Sequence, residues 1–274
     1  MCTVILGQDV LAKGTVVLGA NRDEDPKRAT AEPAGLTTKP RVVGGRDMVA
    51  DGTWLAIREA RAAIALLNRR PPRDLPPRSA LRSRGLLTLD VATVPETFAP
   101  TQPVDDRARD FLARLPEAAG SKLGLAGARK VWDELAQYTF APFSLLWASP
   151  EGSWIFYWKA GGERHIERVA PGWHVITHED MDDINEPRTA WLSLTLAPWR
   201  PDTFAEAVAR FTELLASHGG EAGGRKRPRV CLHEGPIQTV SSSIVLLGAG
   251  GPRYFHAAGH PCETPYADLS ELAR

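Results

Sequence analysis

The order in which two hydrophobic periods follow one another narrows the choice of fold more than any other feature of this chain. Short apolar, β-branched runs at 2–6, 15–20, 42–44, 53–57 and 62–67 come first, separated by Gly-, Asp- and Pro-containing breaks, as strands are. A helical period then takes over in Leu86, Leu87, Leu89 and Val91, followed by 105–115 and 130–135, which predicts two or three helices. Strands return at 143–148, 154–158, 165–169 and 174–177, helices at 188–199 and 204–217, and strands close the chain at 239–247 and 254–257. A doubly wound parallel sheet needs βαβ alternation, and this block order lacks it. Antiparallel sheets with helices outside them fit the order better.

Within that frame, 274 residues of which 43% are hydrophobic suffice for one large core, and a single α+β domain over 1–274 is expected. Lys+Arg and Asp+Glu number 33 each, so net charge gives no pull toward nucleic acid or an anionic membrane. No apolar run reaches the roughly 18 residues of a membrane span, and no basic-then-apolar leader opens the chain. An unexported, cytoplasmic protein is the expectation; oligomeric state leaves no mark on the sequence. The three cysteines, Cys2, Cys231 and Cys262, are odd in number and lack CxxC spacing, which argues against a disulfide scaffold and a zinc cluster. His256, His260 and Cys262 fit no established ligand spacing, so no metal centre is assigned.

Cys2 stands directly behind the initiator methionine, in the stretch MCTVIL. Methionine is removed when the next side chain is small, so the mature chain is expected to begin with a thiol and a free α-amine on one residue. A thiol of pKa about 8.5 is only a few per cent ionised near neutrality and needs a base, whereas an α-amine titrates at about 7.7–8.0. One residue then supplies nucleophile and base at a separation set by a single Cα.

The runs 2–6 and 15–20 read as a hairpin, and the polar run Asn21-Arg22-Asp23-Glu24-Asp25-Pro26 as the turn that follows it. Such a hairpin returns the end of its second strand to the start of its first, beside Cys2. A carboxylate there can hold the amine and a guanidinium can favour the thiolate. Asn68, at the end of another strand, offers an amide to a developing oxyanion. A small hydrophobe opening a strand, a surface ion pair at Arg22–Asp23 and a simple turn residue at Asn68 would read the same way. Arg69, Arg70, Arg73, Arg78, Arg82 and Arg84 form a basic loop suited to an anionic substrate group or simply to solvent, and the basic stretch 225–229 reads as a solvated loop.

MCTVIL, then ANRDE about 20 residues on, GTWL at 52–55, LLNRRPP at 66–72, SRG at 83–85 and TVSSSIVLL at 239–247 together resemble the NRDE family, also called the transport and Golgi organisation protein 2 family. The resemblance implies an N-terminal nucleophile hydrolase-like fold, a four-layer αββα sandwich with antiparallel sheets, as in the penicillin V acylase and bile salt hydrolase group. It puts the nucleophile on Cys2 and the tetrad on Asn21, Arg22, Asp23 and Glu24. The acylase group carries Arg-Asn-x-Asp here, so its arginine falls on Ala20 and Arg22 is the candidate replacement. His178 stands where relatives commonly have asparagine. Cys2, Asn21, Arg22, Asp23 and Asn68 are thus the candidate catalytic residues, and Glu24, Trp54, Arg69 and His178 the candidate substrate contacts. Two activities follow from the resemblance: hydrolysis of a linear amide or thioester with no cofactor required, or non-catalytic carriage of haem or an acyl lipid on the same scaffold.

Overall fold

The computed structural model describes residues 2–101, 120–222 and 225–274. In chain order the first half contains β1 (Thr3–Gln8), β2 (Val16–Glu24), β3 (Thr30–Thr38), β4 (Arg41–Asp47), β5 (Leu55–Arg58), β6 (Ala62–Asn68), α1 (Arg84–Thr93) and α2 (Lys122–Gln137). The second half contains β7 (Phe143–Ala148), β8 (Trp154–Trp158), β9 (Arg164–Arg168), β10 (Gly172–Ile176), α3 (Pro187–Leu196), α4 (Phe204–Leu215), β11 (Gly220–Ala222), β12 (Arg225–Arg227), β13 (Gln238–Leu247), β14 (Arg253–Ala257) and β15 (Ala267–Asp268). The helix expected at 105–115 lies outside the described residues.

The elements gather into two compact units, 1–29 with 171–274, and 30–170. The first holds a six-stranded antiparallel sheet in the order β10-β1-β2-β13-β14-β15, so both chain ends build one sheet. Ile5, Val17, Val175, Ile244 and Leu246 point from one face of this sheet into a core with Leu192 and Leu196 of α3 and Ala207, Phe211 and Leu215 of α4. Val4, Leu6, Val16, Leu18 and Val245, alternating with them, are buried as well, so neither face of the central strands meets water. Helix α4 starts where a cap is available, with Thr203 Oγ1 accepting from the Glu206 amide at 3.2 Å. Helix α3 has Pro187 at its first position, and the carboxylate of Glu186 accepts from the Thr189 amide at 2.6 Å.

The second unit is a seven-stranded antiparallel meander in sequence order, β3 to β9. Helices α1 and α2 pack on one of its faces through Leu87, Val91, Leu123, Val131 and Trp132 against Ile64, Leu145, Trp147, Trp154 and Phe156. Trp147 and Trp154 are fully buried there and stacked, with centroids 5.9 Å apart. The GTWL and SRG motifs meet in this unit. A Cβ on Gly52 would sit 2.1 Å from the Gly85 carbonyl carbon, so the lead into β5 touches the start of α1 only because Gly52 lacks a side chain.

Three elements differ from expectation. The tetrad 21–24 is not a turn: β2 continues through Glu24, and Gln238 to Ser242 of β13 pair with it across a bulge. Strand β3 carries Pro33 and Gly35 and is largely exposed, so the alternation that marks a strand is missing from an edge that does not need it. Residues 225–227, expected as a loop, pair as β12 with β11. Among the described residues no helix is long and apolar enough to cross a membrane.

Candidate active site

Cys2 immediately precedes β1, and the register of that strand's two neighbours decides what stands beside it. β1 pairs with β2 so that Thr3 lies opposite Asn21, and with β10 so that Val4 lies opposite Ile176. Extended to the residue just before the strand, these registers set Arg22 across from Cys2 on one side and His178 on the other. Directly opposed residues of antiparallel strands share a face, so Cys2, Arg22 and His178 form a row. Arg22 and His178 are both buried, and His178 Nε2 lies 3.3 Å from the Glu179 carboxylate.

The thiol is half-buried as a residue, with Sγ 3.8 Å from the Asp23 carbonyl oxygen. Burial is the largest influence on it and raises its pKa above the ordinary thiol value; the Asp23 charge raises it further, and Arg22 opposes both. A thiol held protonated in this way needs a neighbouring base to react near neutrality.

Asp23 anchors the local structure. Its side chain is fully buried, with Oδ1 accepting from Thr239 Oγ1 at 2.7 Å and Oδ2 from Arg188 Nη1 at 3.3 Å. The same Arg188 Nη1 donates to Thr3 Oγ1 at 2.5 Å. The chain Thr3–Arg188–Asp23–Thr239 therefore ties β1, α3, β2 and β13 together one residue from the thiol. Charge-assisted bonds of this kind are the strong members of a buried network.

Other candidates are placed differently. Asn21 faces the helices: its Nδ2 donates to Leu215 O at 2.9 Å and Val230 O at 3.1 Å, which spends both amide hydrogens on backbone and makes it an anchor. Glu24 lies 3.9 Å from both Arg22 and Arg28 and accepts from the Asp25 amide, so it organises the strand end. In the second unit, Asn68 ends β6 opposite Phe143, half-buried, and its amide makes no hydrogen bond among the described residues. Arg69 Nη1 donates to Ser144 Oγ at 3.1 Å and its guanidinium lies over the Tyr157 ring, 5.4 Å from the centroid. Trp54 packs on Gly45, where a Cβ would come within 2.4 Å of the indole. Of the basic loop, Arg82 pairs with Glu134 and Asp90 and Arg84 bonds Pro142 O, so these two are internal ties.

Sequence reasoning missed Arg188 and the role of Thr239. Glu186-Pro187 signals a helix start, but nothing local announces that the next residue reaches a carboxylate 165 positions away. His256, weighed as a ligand, is buried on β14 with Nδ1 2.9 Å from Ser243 Oγ, and burial lowers its pKa to about 4.

A family model described as Transport and Golgi organisation 2 matches residues 1–218. No curated protein sequence matches the chain significantly. Similar solved structures include penicillin V acylase from Agrobacterium tumefaciens, at 13% identity and a TM-score of 0.52, covering 98% of this chain and 87% of that one. They also include an arginine-to-leucine variant of conjugated bile acid hydrolase from Clostridium perfringens, at 11% identity and a TM-score of 0.50, covering 98% and 97%. At such identities the likeness shows the fold alone, which is N-terminal nucleophile hydrolase-like.

Proposed function

The chain belongs to the Transport and Golgi organisation 2 family, and on that premise we propose that it is an N-terminal cysteine hydrolase of linear amide or thioester bonds. The observation that carries the reading is the setting of Cys2: a thiol just before the first strand, raised by burial, between Arg22 and His178 when the registers of β1 are extended by one residue, beside the buried Asp23–Arg188 tie. Removal of Met1 exposes an α-amine on the same residue. That amine takes the thiol proton, the thiolate attacks the carbonyl carbon, and the proton passes to the departing amine or thiol as the carbon–nitrogen or carbon–sulfur bond breaks. Water, deprotonated by the same amine, then splits the thioester and returns the free thiol and a carboxylic acid. His178, in the row with Cys2 on the same sheet, is the proposed polar contact to substrate.

Intact mass of the purified chain, combined with an electrophilic acyl probe, tests this. Loss of Met1, labelling of one site per chain at Cys2 and none in Cys2→Ser are the expected results. Retained Met1, or labelling that persists in Cys2→Ser, overturns the reading. A saturable haem or acyl-lipid complex with a silent thiol would instead favour a carrier on the same scaffold.

A further inference from the structure

Four side chains that sequence spacing does not associate converge in the first unit: His218 after α4, Cys231 and His233 between β12 and β13, and Cys262 after β14. One donor atom from each lies within 4.8 Å of every other. The segments carrying them are pinned by backbone. The amides of Val230 and Cys231 both donate to Ser217 O at 2.9 Å, and those of Glu263 and Thr264 to His260 O at 3.0 and 2.8 Å.

The spacing has a definite chemical meaning. In a regular tetrahedron the ligand–ligand edge is 1.63 times the metal–ligand bond, so zinc–sulfur bonds of about 2.3 Å require sulfurs about 3.8 Å apart. Cys231 Sγ and Cys262 Sγ are 3.7 Å apart, which is that edge and is well beyond the bond of about 2.05 Å in a disulfide. His233 Nε2 lies 2.8 Å from Cys262 Sγ, a hydrogen-bond distance that opens to about 3.5 Å when an ion enters between them. His233 Nδ1 lies 3.7 Å from the Glu263 carboxylate, the partner a ligating imidazole usually has on its far nitrogen. The His218 and His233 ring centroids are 4.6 Å apart, and the His260 ring stacks on His233 at 3.9 Å. Cys231 is buried and Cys262 exposed, so the site has a protein floor and an open approach.

We propose that His218, Cys231, His233 and Cys262 bind a single zinc-type divalent cation in tetrahedral N2S2 coordination, with Glu263 orienting His233. Four protein ligands leave no open position, so the site is structural: it fastens the segment after β14 to the segment before β13 and to the end of α4. Convergence on one point suits a small ion of borderline softness rather than a macrocycle. Both thiols ionise on binding and release about two protons per ion to solvent. The inference stands apart from the proposed hydrolase, since Cys2 takes no part in it.

The experiment uses the full chain, reduced and stripped by chelator, titrated with Co2+ and then Zn2+. Expected are one equivalent of Co2+ with the visible bands of tetrahedral cobalt and a near-ultraviolet thiolate-to-cobalt band, displacement by one equivalent of Zn2+, and release of about two protons. Cys262→Ser, at an exposed position, is expected to weaken binding more than about tenfold and to diminish the thiolate band, and Glu263→Gln to weaken binding about tenfold with the spectrum retained. Cys2→Ser is expected to bind as the parent does. Folded, reduced protein that takes up no stoichiometric Co2+, a cobalt spectrum unchanged in Cys262→Ser, or a Cys231–Cys262 disulfide in protein isolated without oxidant overturns the proposal.

Discussion

Replacing Arg188 by Met tests whether the buried tie beside Cys2 holds this unit together. Asp23 has a fully buried side chain, and Arg188, 13% exposed, donates to it at 3.3 Å. Methionine keeps much of the apolar stem while removing the charge. Breaking a buried pair from one side costs about 3–5 kcal/mol, because the remaining charge stays desolvated. Loss of the bond to Thr3 adds about 1 kcal/mol. The 3.3 Å separation and the partial exposure of Arg188 place the sum near the lower end, about 3 kcal/mol. Asp23→Asn removes the charge that Arg188→Met strands, so the double variant is expected to be about 2 kcal/mol more stable than additivity gives. The assay is equilibrium unfolding in urea, followed by tryptophan fluorescence and far-ultraviolet circular dichroism, whose coincidence licenses two-state treatment. With a slope of about 3 kcal/mol/M, the midpoint of Arg188→Met falls by about 1 M at unchanged slope. A loss under about 1 kcal/mol, or a coupling under about 0.5 kcal/mol, would refute the reasoning.

Two further outcomes follow from geometry already given. His256 has a folded-state pKa of about 4 against 6.5 for the free group, so stability due to its neutral ring is complete above about pH 6.5 and drains away as pH falls toward 4, where the unfolded chain takes the proton the fold refuses. The full effect is about 3 kcal/mol, and His256→Asn is expected to flatten stability against pH across that window; an unchanged slope would count against burial as the cause. Gly52→Ala drives a methyl to 2.1 Å from the Gly85 backbone and is expected to cost about 3 kcal/mol, while Gly35→Ala, where nothing lies within 4 Å, is expected to cost under about 1 kcal/mol; equal thermal midpoints for the two would remove the close-approach argument.

Much of the fold was legible because most strands are short apolar runs with breaks at both ends. The runs 143–148 and 154–158 coincide with β7 and β8, and the hairpin of β1 with β2 follows from two such runs and a short polar link. Strand β3 stayed hidden because an exposed edge needs no apolar alternation. The tetrad read as a turn because charge at a strand end and charge in a turn look alike; what makes 21–24 a strand is β13, more than 200 residues downstream, which offers Thr239 and Ser242 as polar partners inside a buried sheet. The placing of Cys2, Arg22 and Asp23 together was legible from the hairpin alone. Arg188 and the His218–Cys231–His233–Cys262 cluster were not, since each rests on segments joined only by the folded topology.

The central pairing of β2 with β13 has a consequence for synthesis. The first 24 residues leave the ribosome early, while β10 begins at residue 172 and β13 at residue 238. At about 5–20 residues per second, the leading hairpin waits roughly 10–40 s for its β13 neighbour to be translated. During that interval the β2 edge of the hairpin stays open, whereas its β1 edge is open only until β10 is translated, so the β2 edge is the longer-lived site for unwanted strand pairing.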